Sequence, residues 1–174
     1  FAFFDADNIP VPEFMQRMND ALAAGETVCK GRLKSGNARD SWVSGSYGLY
    51  HALLEWTYSR PHSAMGCSSN LVGTAFVAHR KVFEELGGWN TVSLCEDTEF
   101  LAQSTRIGHR VAWVHDAMSY DEQVTKFFPS MRQRLRWCSG MIRVARNETK
   151  HLLSAKCPKR RMAIDLAILF IISH

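Results

Sequence analysis

Paired cysteines, long apolar runs and low-complexity tracts are all missing from this chain of 174 residues. The five cysteines, at 29, 67, 95, 138 and 157, form no C-x-x-C pair and no zinc-ligand spacing, and their number is odd. A disulfide framework is therefore not expected, and a reducing compartment is. No stretch reaches the roughly 20 consecutive apolar residues that a membrane-spanning helix needs. The longest, 162–173, has 12 residues with Asp165 inside it, and it runs to the end of the sequence. It reads either as a core helix or as the first half of a membrane helix. Lys159-Arg160-Arg161 just before it favours the second, because basic residues flank membrane helices on the cytoplasmic side. There is no initiator Met, and Phe1-Ala2-Phe3-Phe4 reads as a buried strand already under way, so a fragment is expected.

What is present is the composition of an ordinary globular domain, 46% hydrophobic and 22% charged. Disordered, collagen-like and coiled-coil classes are excluded. The length allows one domain or a piece of one. The net charge of +4 is unevenly spread: residues 1–129 carry 11 basic and 15 acidic side chains, residues 130–174 carry 10 basic and 2 acidic. The C-terminal segment therefore suits an anionic partner: a phosphate substrate, nucleic acid or anionic lipid.

Strand and helix signals alternate along the chain, which argues for an α/β fold. Phe1–Phe4 reads as a strand, followed after Pro10 and Pro12 by a helix of about 12 residues with Phe14, Met18 and Leu22 on one face. Thr27–Leu33 reads as a strand and Lys34–Asp40 as a polar loop. Ser41–Tyr58 is helical, with Leu49, Leu53 and Trp56 sharing a face. Pro61–Asn70 is a loop, Leu71–Ala78 a strand, and a short helix runs to Leu86. A helix from Glu96 to Ile107, a strand over Arg110–Val114 and a long helix from Pro129 to about Lys150 complete the pattern.

Several places could carry chemistry. Asp5-x-Asp7 follows an apolar strand, and ligands of α/β sheets gather at strand carboxyl ends. Two carboxylates there can share a hard divalent cation, or simply cap the next helix. Glu96-Asp97 opens a helix, where acids stabilise the macrodipole and where a carboxylate is also held rigidly enough to act as a base. On the long helix, Met131, Leu135, Cys138 and Ile142 form an apolar stripe, and Gln133, Arg136 and Trp137 cluster opposite. The helix is expected to bury the stripe and present an amide, a phosphate-binding guanidinium and a sugar-stacking indole. The plain alternative is a basic surface helix that contains a Trp. Gly87-Gly88-Trp89-Asn90 and Gly73-Thr74-Ala75-Phe76 could admit a ligand or only pack. His79 and His115 have no partner at metal spacing and read as structural.

In this order, F-F-D-A-D-N (3–8), D-S-W-V-S-G (40–45), G-T-A-F (73–76), L-G-G-W-N (86–90), E-D-T-E-F (96–100), Y-D-E-Q (120–123) and R-Q-R-L-R-W (132–137) resemble a family 2 glycosyltransferase. The likeness is to the membrane-integrated, often processive type, which includes cellulose, hyaluronan and poly-N-acetylglucosamine synthases. It spans nearly residues 1–140. It departs from that pattern at Cys95, where Thr is usual, and at Ala75, where Gly is commoner.

The resemblance implies the C-terminal part of a GT-A type, Rossmann-like domain over 1–128, without its nucleotide-binding N-terminal half. It implies an amphipathic interfacial helix over 129–158 and the start of a transmembrane helix over 159–174. The implied activity is inverting transfer of a hexose or N-acetylhexosamine from a UDP-linked or other nucleotide sugar. The acceptor is a saccharide or a lipid-linked one, at the cytoplasmic face of the plasma membrane. Asp5 and Asp7 match the motif that holds Mg²⁺ or Mn²⁺, Asp97 the base, and Glu96 its acidic neighbour. Gly73, Thr74, Trp89, Gln133, Arg136 and Trp137 are implied to bind substrate. Membrane lipids are implied partners and nucleic acid is not. Two alternatives stand beside it: a phosphohydrolase of the haloacid-dehalogenase type, and a basic module that binds membrane or nucleic acid without catalysis.

Overall fold

The computed structural model describes residues 1–154 and 156–172. Ser173 and His174, which end the apolar C-terminal run, lie outside the described residues. Five strands form one sheet: β1 (Ala2–Phe3), β2 (Ile9–Pro10), β3 (Val28–Ser35), β4 (Phe76–Ala78) and β5 (Val111–Asp121), in the order β1-β4-β3-β5-β2. The central β3–β5 pair is parallel and every other pair is antiparallel. The helices are α1 (Phe14–Ala23), α2 (Trp42–Leu54), α3 (Arg60–Ala64), α4 (Arg80–Leu86), α5 (Glu96–Arg106), α6 (Phe127–Leu152) and α7 (Arg160–Ile172).

Strand alternation splits the apolar residues into two cores, as period-two geometry requires. Cys29, Val77 and Ala112 point to one face and pack on Phe14 and Met18 of α1. Val28, Phe76, Ala78 and Val111 point to the other and pack on α4, α5, α6 and α7. The layers are therefore helix, sheet, helices. Gly31 is a tight point of the sheet: a Cβ there would lie 2.6 Å from both the Ala117 carbonyl and the Phe14 ring. The β3–β5 register slips beside it, passing from Gly31↔Val114 to Arg32↔Met118, so His115–Ala117 bulge out of β5. The bulge lets β5 continue to Asp121, well past the expected end at Val114.

Other expectations are corrected. The helix from Ser41 does not stop at Tyr58. It passes through a π-helical turn at Glu55–Ser59 straight into α3, so residues 60–64 are helix rather than loop. The expected strand Leu71–Ala78 shrinks to Phe76–Ala78, because Gly73 (φ 31°) and Ala75 (φ 52°) turn the chain before it can extend. The long helix also sits the other way round. Ser130, Gly140, Val144, Ala145, Glu148 and Leu152 are its buried face, and the apolar stripe Met131, Leu135, Cys138, Ile142 is exposed. Small residues decide this: at Gly140 a Cβ would come within 2.5 Å of Cys95 Sγ, so only a bare backbone lets α6 approach α5 so closely.

α7 seals the same core with Ala163, Leu166, Ala167 and Phe170 and leaves Ile168, Ile171 and Ile172 exposed. Among the described residues no helix is long and apolar enough to cross a membrane.

Candidate active site

The turn at 72–75 is the hub. Gly73 N–H donates to Asp97 Oδ2 at 2.6 Å, and the Thr98 N–H donates to Asp97 Oδ1 at 2.7 Å. Asp97 is thus not an N-cap. Cys95 holds that position and makes no side-chain cap. Thr74 Oγ1 accepts the Asp5 N–H at 2.9 Å and donates to Asn8 Oδ1. A Cβ on Gly73 would sit 4.0 Å from both Asp5 Oδ2 and Asp97 Oδ2. Two carboxylates from residues 92 apart in sequence therefore flank one glycine, and any side chain there would stand between them.

Two further charges complete the cluster: Lys30, which lies in no motif, and Asp121, which lies in Y-D-E-Q without an assigned role. Asp121 ends β5 and accepts from Asn8 Nδ2 at 2.9 Å and from Gln123 Nε2 at 2.6 Å. Lys30, on the face of β3 that also carries Val28, is 3% exposed and donates to the Thr74 carbonyl. Behind it a cavity of about 30 Å³, also lined by His51, Glu55, Ser59 and Asn70, has room for about one water.

The acids raise one another. Burial pushes the Asp5 carboxyl up, Asp7 and Glu96 add to this, and Lys30 opposes it. Burial and then Asp7 lift Asp121 to about 6. Asp97 is also raised by burial, against the pull of the Gly73 and Thr98 amides. Lys30 falls to about 7 through burial, with Asp97, Asp121 and Asp5 favouring its charge. Such a site welcomes added positive charge. Asp5 and Asp7 are exposed hard oxygen donors at its mouth. Among the described residues no group of three or more His, Cys, Asp or Glu side chains is arranged to hold a metal. Two carboxylates suit a Mg²⁺-like cation that keeps waters and substrate oxygens in its shell.

α6 reaches this cluster through α2 and α5. Fully buried Tyr47 donates to Gln133 Oε1 at 2.9 Å, meets the Trp137 ring edge-on at 6.1 Å and lies under the Arg134 guanidinium at 4.6 Å. Cys95 Sγ donates to the Trp137 carbonyl at 3.4 Å, two residues before Asp97. Gln133 and Trp137 are half-buried and Arg136 is exposed, its charge felt at Cys95. Glu96 is exposed at the start of α5. Trp89 is partly exposed, and its ring stacks on Phe3 at 5.1 Å and Phe100 at 4.9 Å. His79 caps α4 through the Lys81 N–H, and His115 lies 3.7 Å from Glu55.

The family model described as "Glycosyl transferase family group 2" matches residues 1–171. The chain belongs to that family. It is similar to a probable glycosyltransferase, YdaM, of Bacillus subtilis, with 25% identity over 96% of this chain and 40% of that protein. It is similar to probable glucomannan 4-beta-mannosyltransferase 3 of Arabidopsis thaliana, with 27% identity over 89% of this chain and 28% of that protein. A shorter match, 28% identical over 42% of this chain and 10% of the other, is to cellulose synthase 1 catalytic subunit (UDP-forming) of Komagataeibacter xylinus. The chain thus spans two fifths or less of these relatives. Membership of glycosyl transferase family group 2 sets aside the haloacid-dehalogenase-type and non-catalytic alternatives.

Proposed function

We propose that this chain carries the acceptor and metal half of an inverting glycosyltransferase that moves a sugar from a nucleotide sugar, UDP-linked in the simplest case, to a saccharide or lipid-linked acceptor. The observation that carries the reading is the pair of carboxylates, Asp5 and Asp97, facing each other across Gly73. In the reaction the acceptor hydroxyl gives its proton to Asp97, its oxygen bonds to the anomeric carbon, and the bond from that carbon to the diphosphate breaks. Inversion needs one base and a charge sink, and no carboxylate nucleophile. Burial raises the basicity of Asp97 while two N–H donors fix its direction. Asp5 and Asp7 would hold Mg²⁺ or Mn²⁺, which when bound neutralises charge on the leaving diphosphate. Gly73 leaves open the space where the two substrates meet. Gln133 and Trp137, oriented by Tyr47, and the exposed Arg136 border the acceptor side.

The reading extends to location. The outer faces of α2 and α6 carry Trp42, Leu49, Leu53, Phe127 and Met131 around a cavity of about 420 Å³, with Arg134 at its wall and Leu135 exposed nearby on α6. Apolar side chains among arginines suit the interface of an anionic bilayer. The interfacial segment 129–158 would lie on the cytoplasmic leaflet, and 159–174 would lead into it through the exposed isoleucines of α7. Polysaccharide synthesis fits this arrangement.

The test uses the full-length protein with a panel of UDP- and GDP-linked sugars and saccharide acceptors. Metal-dependent transfer with inverted anomeric configuration supports the reading. Donor cleavage with retained configuration, or no use of any nucleotide sugar, refutes it.

A further inference from the structure

A lysine at 3% exposure in the middle of a sheet needs a physical reason. An ammonium taken out of water is unfavourable unless it is paired and hydrogen-bonded. Lys30 Nζ donates to the Thr74 carbonyl at 2.5 Å, and Asp97, Asp121 and Asp5 favour its charge. His51, which shares the cavity behind, is pushed down to about 4 by burial and by Lys30 itself, so it stays neutral beside it.

The turn that Lys30 grips is the unusual one. Gly73 and Ala75 both have positive φ, and Ala75 is the one non-glycine residue to do so among the described residues. The Thr74 N–H folds back onto the Val72 carbonyl. Backbone of this kind persists only where its surroundings over-determine it. The other side of the same turn faces the reaction: Gly73 N–H holds Asp97, and Thr74 Oγ1 holds the Asp5 N–H. One buried lysine thus stands behind a strained turn whose front holds the Asp97 carboxylate and the Asp5 backbone.

We propose that Lys30 is a positioning residue for sugar transfer: by holding the Thr74 carbonyl it sets the Gly73–Thr74 turn, and through that turn the spacing between Asp97 and the Asp5–Asp7 pair. It touches no reacting atom. The inference rests on the reading of Asp97 as the base and Asp5–Asp7 as the metal pair. Misplacement of a reacting group by about 1 Å lowers rate by about 10²-fold.

The test compares wild type, Lys30→Met and Lys30→Gln in the full-length protein. Met keeps the length without donor or charge, and Gln keeps a donor. Four quantities are read: sugar transfer, acceptor-independent hydrolysis of the nucleotide sugar, donor affinity and thermal melting. For Lys30→Met the transfer kcat should fall about 10²-fold. Donor affinity and hydrolysis should change by no more than about threefold, because they do not need the base in register with the metal pair. Lys30→Gln should recover part of the transfer. A change in the ratio of transfer to hydrolysis is something a purely structural lysine would not produce. Wild-type transfer in Lys30→Met overturns the proposal, and so does a parallel fall of transfer, hydrolysis and affinity in a protein that melts normally. If Lys30→Met does not melt cooperatively, Lys30→Leu, which also lacks the donor, is judged by the same two outcomes. A wild-type protein that uses no nucleotide sugar would instead sink the functional reading, and Lys30 with it.

Discussion

Beneath the Gly73 turn the protein buries charge, and across the outer faces of α2 and α6 it exposes hydrocarbon. In the first region Lys30 is withdrawn from water and Asp97 and Asp121 are half-buried. Trp42, at 72% exposure, and Leu49, at 62%, are left in it in the second. Each region is unfavourable by itself, since buried charge needs partners and large apolar patches need cover. The cleft supplies its own partners, through Thr74, Asn8 and Gln123. The outer face is left to solvent, and on the reading proposed above a bilayer covers it. Substitutions in the two regions should therefore separate chemistry from attachment.

The largest effect is expected at Asp7. Asp7→Ala, or chelation of the wild type, should abolish transfer by the full-length enzyme, with Mn²⁺ or Mg²⁺ restoring only the chelated protein. Attachment to membranes should not change. Full activity in chelator would break the assignment. Next is Asp97→Asn, which keeps shape but not basicity. Transfer should fall by about 10²-fold or more, the scale of general-base catalysis, with donor binding intact. Near-wild-type transfer would reduce Asp97 to a brace for Gly73.

The outer face should give the converse. Leu49→Ser, Leu53→Ser and Leu135→Ser together remove apolar surface that is more than half exposed. The 174-residue chain should then bind phosphatidylserine vesicles about tenfold or more weakly, a conservative share of burying three leucines. Its melting temperature should hold. Unchanged vesicle binding would leave the face without a lipid role.

Gly140 joins the two regions, because it lets α6 touch the start of α5. Gly140→Ala should destabilise by about 1–3 kcal/mol, the scale of overpacking, as its Cβ would lie 2.5 Å from Cys95 Sγ. Adding Cys95→Ala should recover much of the loss, which a double-mutant cycle in urea would measure.

The smallest effect concerns acid. His51 titrates near 4 when folded and near 6.5 when unfolded, so the unfolded chain binds more protons between those values and stability falls as pH drops through them. Asp121, raised from 3.8 to about 6, works in the opposite sense over nearly the same window. His51→Gln should flatten the acid loss between pH 6.5 and pH 4, and Asp121→Asn should steepen it. Urea midpoints at several pH values would show whether the two slopes diverge.

The sequence made Asp5, Asp7, Gly73 and Asp97 legible because their signals are local. A polar pair follows an apolar run, a glycine interrupts a β-like segment, and an acidic pair opens a helix. Lys30 was not legible, since in V-C-K-G-R-L-K-S nothing distinguishes it from Arg32 or Lys34. Its burial comes from Phe76 and Trp113 on the flanking strands. Asp121 was visible only as part of a motif, because the bulge at His115–Ala117 that carries β5 to it arises from contact with Gly31. The orientation of α6 was misjudged for a related reason. The apolar stripe is the stronger pattern, but Gly140, Val144 and Ala145 are the residues small enough for close packing, and close packing chose the face.

The hydrogen bonds that tie the cleft together also bear on when it can exist. Phe1 meets Ala78 across 77 positions, Asp5 meets Thr74 across 69, and Asn8 meets Asp121 across 113. Contacts that distant must close large loops before they are rewarded, which slows folding. A ribosome delivering this chain would release Asp5 and Asp7 long before Asp121, and the helices that seal the sheet come later still. The centre can therefore mature only after α6 has emerged, and a nascent chain halted before α6 would hold its acidic strand without the neighbours that give it chemistry.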